Sequence, residues 1–236
     1  MSTSTRIHIQ LSSAGHPERV AGPLLVLGGA AFFAGGAIHP GDSGKGSKVS
    51  QLHDMLVDSM WYPSHALLLA AMACFAAAIL GFRRRGGLGS AMATVTGVVS
   101  VIAVVATIGM TLHLFAALGA DGIAGGEKTL LYHMQTWNET IVDPLWGLGI
   151  ATLAVAGGLT RTLGNPITLA LGLVGGLAYA LASATIAFTD RFDALFPLAS
   201  LIGIWAVVAG LMMSPRKSRS GGSASAPDLD RAETSN

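Results

Sequence analysis

From Gly86 to Ala120 the chain carries no Asp, Glu, Lys or Arg, and apolar residues dominate the stretch. An α-helix needs only about 20 such residues to cross a hydrocarbon core about 30 Å thick. Five further windows approach this character: from Arg19 to Ile38, Trp61 to Phe82, Glu139 to Arg161 with Asp143 inside, Arg161 to Asp190, and Ala194 to Met213. Hydrophobic residues make up 51% of the chain and charged residues 11%, with mean hydropathy +0.58. A soluble domain carries about one-quarter charged residues, so the bilayer is the solvent this chain is built for. The runs are continuously apolar and do not alternate, which excludes strands, and backbone facing lipid must satisfy itself within a helix or a closed barrel. The sequence therefore predicts an all-α integral membrane bundle of six transmembrane helices, at 20–39, 61–82, 88–118, 137–160, 166–188 and 194–213. A polar segment 1–19 precedes it, and a low-complexity tail 214–236, expected to be disordered, follows.

Loops rich in Lys and Arg stay on the cytoplasmic side. With six spans, Arg6, Arg19, Arg83, Arg84, Arg85, Arg161, Arg216, Lys217, Arg219 and Arg231 fall on one side, and only Lys45, Lys48, Lys128 and Arg191 on the other. Both termini are thus expected in the cytoplasm, with the protein in the bacterial cytoplasmic membrane. Five spans would put the Arg-rich hinge at 83–85 and the basic tail on opposite sides, which ranks that topology second. Ala34 and Ala37 resemble a signal cleavage site, but the first apolar run reaches spanning length, so an uncleaved first helix is expected. Cys74 is the lone cysteine, mid-span, and says nothing about redox compartment.

In lipid, helices pack closely through small residues, and Ala31 with Gly35 and Gly172 with Gly176 supply such pairs for contacts within the bundle. Pro166 after Asn165 suits the opening turn of the fifth helix. The segment GDSGKGS at 41–47 lacks the glycine spacing of a phosphate-binding loop and falls outside the cell, so no nucleotide site is expected. A net charge of +1 and the absence of a recognition motif exclude a nucleic-acid partner.

Lys and Arg alone set this topology, yet His39, His53, His65, His113 and His133 all fall at the outer ends of helices or in outer loops. His39 closes the first helix, His65 opens the second after Trp61, His113 lies near the end of the third and His133 precedes the fourth with Trp137, as if one hairpin were repeated. By depth, His65, His113 and Glu139 share one level, about one helical turn below the interface. Asp143 follows Glu139 by four residues, which stacks the two carboxyls on one helix face. A carboxylate near a helix centre costs at least about 2.5 kcal/mol in lipid, so both should face the bundle interior or water.

Two histidines and a carboxylate suffice for zinc or non-haem iron, so His65, His113 and Glu139 are candidate metal ligands, with His39 and His133 as further ones. An alternative use of His65 and His113, on facing helices, is as the two axial ligands of a haem. Met110, three residues before His113, would suit copper. Glu139 and Asp143 are the candidate catalytic groups, as general base toward metal-bound water. No diagnostic ligand spacing accompanies these residues. The competing structural reading has the histidines tying neighbouring helices together by hydrogen bonds, beside an interfacial aromatic belt of Trp61, Tyr62, Tyr132 and Trp137. His39, next to Pro40, reads as interfacial. Val49, Leu52, Leu56 and Met60 recur at helical spacing around His53, predicting a short surface helix able to cover the site.

The first helix ending in AIHP, the second opening with WYPSH, the entry GGLGS to the third and ETIVDPL in the fourth resemble a broad group of small bacterial polytopic membrane proteins of unassigned function. The resemblance implies a shared fold and an outer-face site at His39, His65, Glu139 and Pro144, and supplies no activity. Three functions remain open: a metal- or haem-binding site at the outer face, a proton-coupled carrier of a small solute, and a non-catalytic accessory subunit with a protein partner.

Overall fold

The computed structural model describes residues 17–41 and 44–213; His8, His16, most of the N-terminal segment and the tail 214–236 lie outside them. Within the described residues every regular element is helical. Six stretches are long and apolar enough to cross a membrane: Val20–Ala37, Trp61–Arg84, Ser90–Ala124, Leu130–Thr160, Pro166–Thr185 and Asp193–Met213. The first is α1 (Pro17–Ala37); a short helix α2 (Lys48–Leu56) leads into the second, α3 (Trp61–Arg84). The third comprises α4 (Ser90–Leu114), a 3-10 turn (Phe115–Gly119) and α5 (Ala120–Ala124). The fourth comprises α6 (Leu130–Trp137), a π-turn (Asn138–Val142) and α7 (Asp143–Thr160). The fifth is α8 (Pro166–Thr185), and the last joins a 3-10 turn (Asp193–Leu195), α9 (Phe196–Ala199) and α10 (Leu201–Met213).

The fourth span thus starts at Leu130, not at 137, with Glu139 well inside the helix instead of at its edge. The third changes from α-helix to a 3-10 turn after Leu114, so the end of its long apolar window is wound differently from the rest. Asn165 caps α8 by accepting from the Ile167 and Thr168 backbone N–H groups, with Pro166 at the first helical position, where its missing N–H costs nothing.

The spans close into a ring in chain order: α1 packs on α3, α3 on α4, α4 on α7, α7 on α8, α8 on α10 and α10 back on α1. Side chains from next-but-one members also meet inside the ring. Phe75 of α3 lies 5.5 Å from Trp146 of α7, and Phe32 of α1 lies 6.0 Å from Tyr179 of α8, ring centre to ring centre. Phe75, Trp146 and Trp205 are fully buried there. Outward faces stay apolar, as Val98, Val101, Val105 and Ile108 of α4 show, because their solvent is hydrocarbon.

Glycines set the closest contacts. A Cβ on Gly176 would stand 2.5 Å from the Gly147 carbonyl, and one on Gly147 2.6 Å from the Gly176 carbonyl. Gly29 and Gly203 oppose each other in the same way where α10 meets α1. Gly172 fits against Ala154 and Trp205, and Gly35 against Ser64 and Leu68. These small residues serve contacts between spans of one bundle.

The ends of the ring differ in chemistry. Arg85 and Arg161 line a shallow pocket with Met212 and Met213 at one end. At the other end α2 lies across the bundle, with Leu52, Met55 and Leu56 buried against Trp61, Ala116, Ala120 and Ile123. Ser47 caps α2 through the Ser50 N–H. Lys48 ties α2 to the start of the last span by an ion pair with Asp190 and a longer one, 3.8 Å, with Asp193. The hydrogen bond from Lys48 holds the Asp190 carboxyl below the usual carboxylate range. A lowered pKa means the tie is complete at neutral pH and is lost as the pH falls through that lowered value. In Lys48→Met, amide hydrogen exchange across α2 should rise severalfold at neutral pH. In the parent chain, corrected for intrinsic exchange, the same rise should come only on acidification below the ordinary carboxylate range.

Candidate functional site

Beneath α2 the ring encloses a cavity of about 640 Å³ to which all six spans contribute. Its wall is mostly apolar, with Phe32, Phe33, Leu68, Met110, Ile186 and Phe196. Against this background stand His39, His65, His113, Glu139, Asp143, Tyr179 and Ser183.

Trp61 organises the histidines. It is buried, and its Nε1–H donates to the Leu114 carbonyl at 3.1 Å, which joins α3 to the end of α4. One face of the cluster follows: Trp61 stacks on His65 with ring centres 3.8 Å apart and on His113 at 5.2 Å, and His65 lies 4.6 Å from His113. His39, in the loop after α1, approaches His65 at 4.8 Å. Trp61 is therefore not part of an interfacial belt; Tyr62 and Trp137 are exposed as belt residues would be. His39 is exposed, as an interfacial residue would be, and the chain after α1 also brings its ring onto His65.

Backbone carbonyls fix two tautomers. His65 Nδ1 donates to the Trp61 carbonyl at 2.7 Å, and His39 Nδ1 donates to the Pro40 carbonyl at 2.8 Å. Each then keeps a lone pair on Nε2. That of His65 is buried and meets no hydrogen-bond partner among the described residues.

His113 differs because both of its ring nitrogens face carboxamides. Gln135 Nε2 lies 3.4 Å from His113 Nε2 and donates to Glu139 Oε1 at 2.7 Å. Asn138 Nδ2 lies 3.3 Å from His113 Nδ1 and donates to Asp143 Oδ1 at 3.4 Å. The Tyr179 hydroxyl of α8 also approaches Asp143. Asp143 is buried and Glu139 half-buried.

The π-turn places these groups. Its Asn138 carbonyl accepts from the Asp143 N–H, five residues on, immediately before Pro144. Proline cannot donate and crowds the carbonyl four residues earlier, so a widened turn here relieves the helix and swings Asn138 toward His113. Gly109 of α4 makes the room, since a Cβ there would stand 2.0 Å from Asn138 Oδ1.

The sequence-level candidates divide accordingly. His39, His65, His113, Glu139 and Asp143 meet around one cavity, and Met110 joins its wall. His133 does not: it is exposed, beside Tyr132 and Trp137. The histidines of the two hairpins are thus not equivalently placed. Gln135, Asn138 and Tyr179 were not singled out from the sequence, although a carboxamide four residues before Glu139 and a tyrosine in mid-span were visible signals.

As a cofactor site the arrangement fits poorly. Among the described residues no group of three or more His, Cys, Asp or Glu is set to hold a metal ion. His65 and His113 face each other ring to ring at 4.6 Å, whereas a haem between two axial histidines needs their nitrogens aimed at one iron from opposite sides. Compared with family models, characterised proteins and solved structures, the chain matches none. What the residues can do is accept hydrogen bonds and hold protons: the carboxyls and the histidine lone pairs are acceptors, set in an apolar cavity at one end of a membrane bundle.

Proposed function

We propose that the protein is a proton-coupled carrier of a small, largely apolar cation, with both termini in the cytoplasm and the cavity opening to the outer face. The observation that carries this reading is the convergence of Glu139 and Asp143 with three histidines on one mostly apolar cavity ringed by all six spans. Acids placed inside a membrane bundle are retained at a cost, and proton relays are their common use. Aromatic walls from Phe32, Phe33, Trp61 and Phe196 suit a cation with apolar bulk. The orientation is supported by Arg85 and Arg161 at the opposite end, where the positive-inside rule places the cytoplasm.

The test uses proteoliposomes holding a pH gradient, with ethidium as a permanently charged apolar cation. Ethidium should dissipate the gradient in vesicles with the protein and not in empty ones, and Asp143→Asn should slow this at least about tenfold, the equivalent of about 1.4 kcal/mol. Equal rates with and without protein, or an unchanged rate in Asp143→Asn, would overturn the reading.

A further inference from the structure

Hydrogen-bond counting around His113 cannot be closed with both carboxamides in the same sense. A neutral imidazole has one N–H and one lone pair, so it can accept from only one of Gln135 and Asn138 and must donate to the other. As they stand, both amides turn their NH2 groups to His113, and both of their buried oxygens, Gln135 Oε1 and Asn138 Oδ1, lack a partner. Half a turn of one carboxamide, which leaves its shape almost unchanged, settles the count at His113 and gives the rotated oxygen an N–H to accept from, while the other amide stays as it is.

Each turn has a consequence for a carboxyl. If Asn138 rotates, its oxygen accepts from His113 Nδ1–H and then faces Asp143 Oδ1, which must carry a proton to donate to it. Gln135 meanwhile donates to the lone pair on His113 Nε2 and to a charged Glu139. If Gln135 rotates instead, the picture is mirrored. Glu139 holds the proton, His113 carries its hydrogen on Nε2, and Asn138 donates to both His113 Nδ1 and a charged Asp143. A doubly protonated His113 would need both amide oxygens and both carboxyls protonated, and would put its charge 4.6 Å from the His65 ring.

We propose that Glu139, Asp143 and His113 form one single-proton site, in which the two carboxyls share one proton and the tautomer of His113 is locked to which of them holds it. The site is that of the proposed carrier, and this inference deepens that reading. Passing between the two states takes one proton from Asp143 and gives one to Glu139, while His113 loses its Nδ1 hydrogen and gains one on Nε2; the number of protons is unchanged. Both carboxyls line the cavity, so the exchange can run through water there. The other groups facing the site are His65 stacked on His113 from α3, His39 beyond it, Tyr179 of α8 at Asp143 and Lys48 of α2, whose charge reaches Glu139. Sharing one proton leaves the two carboxyls with one negative charge between them, the counter-charge that a cation in the cavity would meet.

The experiment reads the tautomer directly by nitrogen-15 magnetic resonance of histidine-labelled, detergent-purified full-length protein at neutral pH, with infrared absorption of protonated carboxyls beside it. In Asp143→Asn the new amide stands in for the protonated acid, so His113 should be locked as the Nδ1–H form. Glu139→Gln should lock the Nε2–H form. The parent protein should show one buried carboxylic acid signal that both variants lose. The same tautomer in both variants, a doubly protonated His113, or a parent spectrum with no such acid or with two would overturn the proposal. Should one variant fail to fold, the other and the parent spectrum still decide. No solute is involved, so a protein that switches tautomer but carries no ethidium would refute the transport reading alone.

Discussion

Replacing Gly176 by leucine is expected to keep the chain from reaching its folded state. Even the first side-chain carbon would stand 2.5 Å from the Gly147 carbonyl oxygen, 2.8 Å from the Ala151 nitrogen and 3.0 Å from the Ala151 Cβ. Two of these three obstacles are backbone atoms of α7 and cannot turn aside as a side chain would. The helices must therefore separate, and the reciprocal position is no softer, because Gly147 sits equally close under the Gly176 carbonyl. Overpacking of a well-filled interior costs about 1–3 kcal/mol and more where backbone must move, and a domain's whole stability is about 5–15 kcal/mol. Here the separation would also open the floor of the cavity, since Tyr179 and Ser183 stand on the same helix as Gly176. Size-exclusion chromatography in detergent should show loss of the monodisperse peak, and any residual folded material should melt well below the parent. Gly97→Ala is the control: a Cβ there comes no closer than 3.7 Å, to Arg83, so it should melt at or above the parent temperature. A monodisperse Gly176→Leu protein with parental melting would mean that α7 and α8 do not meet as described.

The six spans could be read from composition because each apolar run is long enough to cross a bilayer and charge-free or nearly so, which leaves the chain few alternatives. Their ends could not. Ala116, Ala120 and Ile123 are as apolar as any lipid-facing residue, yet they serve to bury Leu52, Met55 and Leu56 of α2. Hydropathy does not distinguish a side chain facing lipid from one facing another helix. The start of the fourth span was missed for the converse reason: Glu139 reads as the edge of an apolar window, and nothing in its charge reveals that Gln135 satisfies it inside the helix. The grouping of His65, His113 and Glu139 follows from depth, because helix geometry converts sequence position into distance along the membrane normal, and Asp143 joins them by its four-residue spacing from Glu139. Depth does not give azimuth, so His133 reads as a further member and Trp61 as an interfacial anchor. The π-turn leaves only Pro144 as its trace, and without that turn there is no reason to connect Asn138 with His113 on another span.

Gly109→Ala is expected to leave the fold intact and disable the site. Alanine is the better helix former, and the atom its Cβ would strike, at 2.0 Å, is the end of a side chain and not backbone. The side chain is Asn138, whose Cγ would lie at 3.2 Å, with Val142 Cγ1 at 3.3 Å behind it, so the carboxamide must swing away from its place between His113 and Asp143. His113 Nδ1 and Asp143 Oδ1 then lose their shared partner while remaining buried. A hydrogen bond to a charged group is worth about 1.5–3 kcal/mol and a neutral one about 0.5–1.5 kcal/mol, so the state with Asp143 ionised loses about 1–1.5 kcal/mol more than the other, roughly a five- to tenfold shift in the balance. Cation-driven dissipation of a pH gradient should fall by a comparable factor, while elution volume stays at the parental value and the melting temperature falls by at most a few degrees, because alanine's better helix propensity offsets part of the lost hydrogen bonding. The signature that separates this from a packing defect is the tautomer: His113 should move toward one form in Gly109→Ala and return toward the parental balance when Asn138→Ala, which removes the displaced carboxamide, leaves room for water beside Asp143. Full parental transport in Gly109→Ala would mean that Asn138 is a spectator. In that case the two carboxyls would have to be linked by some route other than His113.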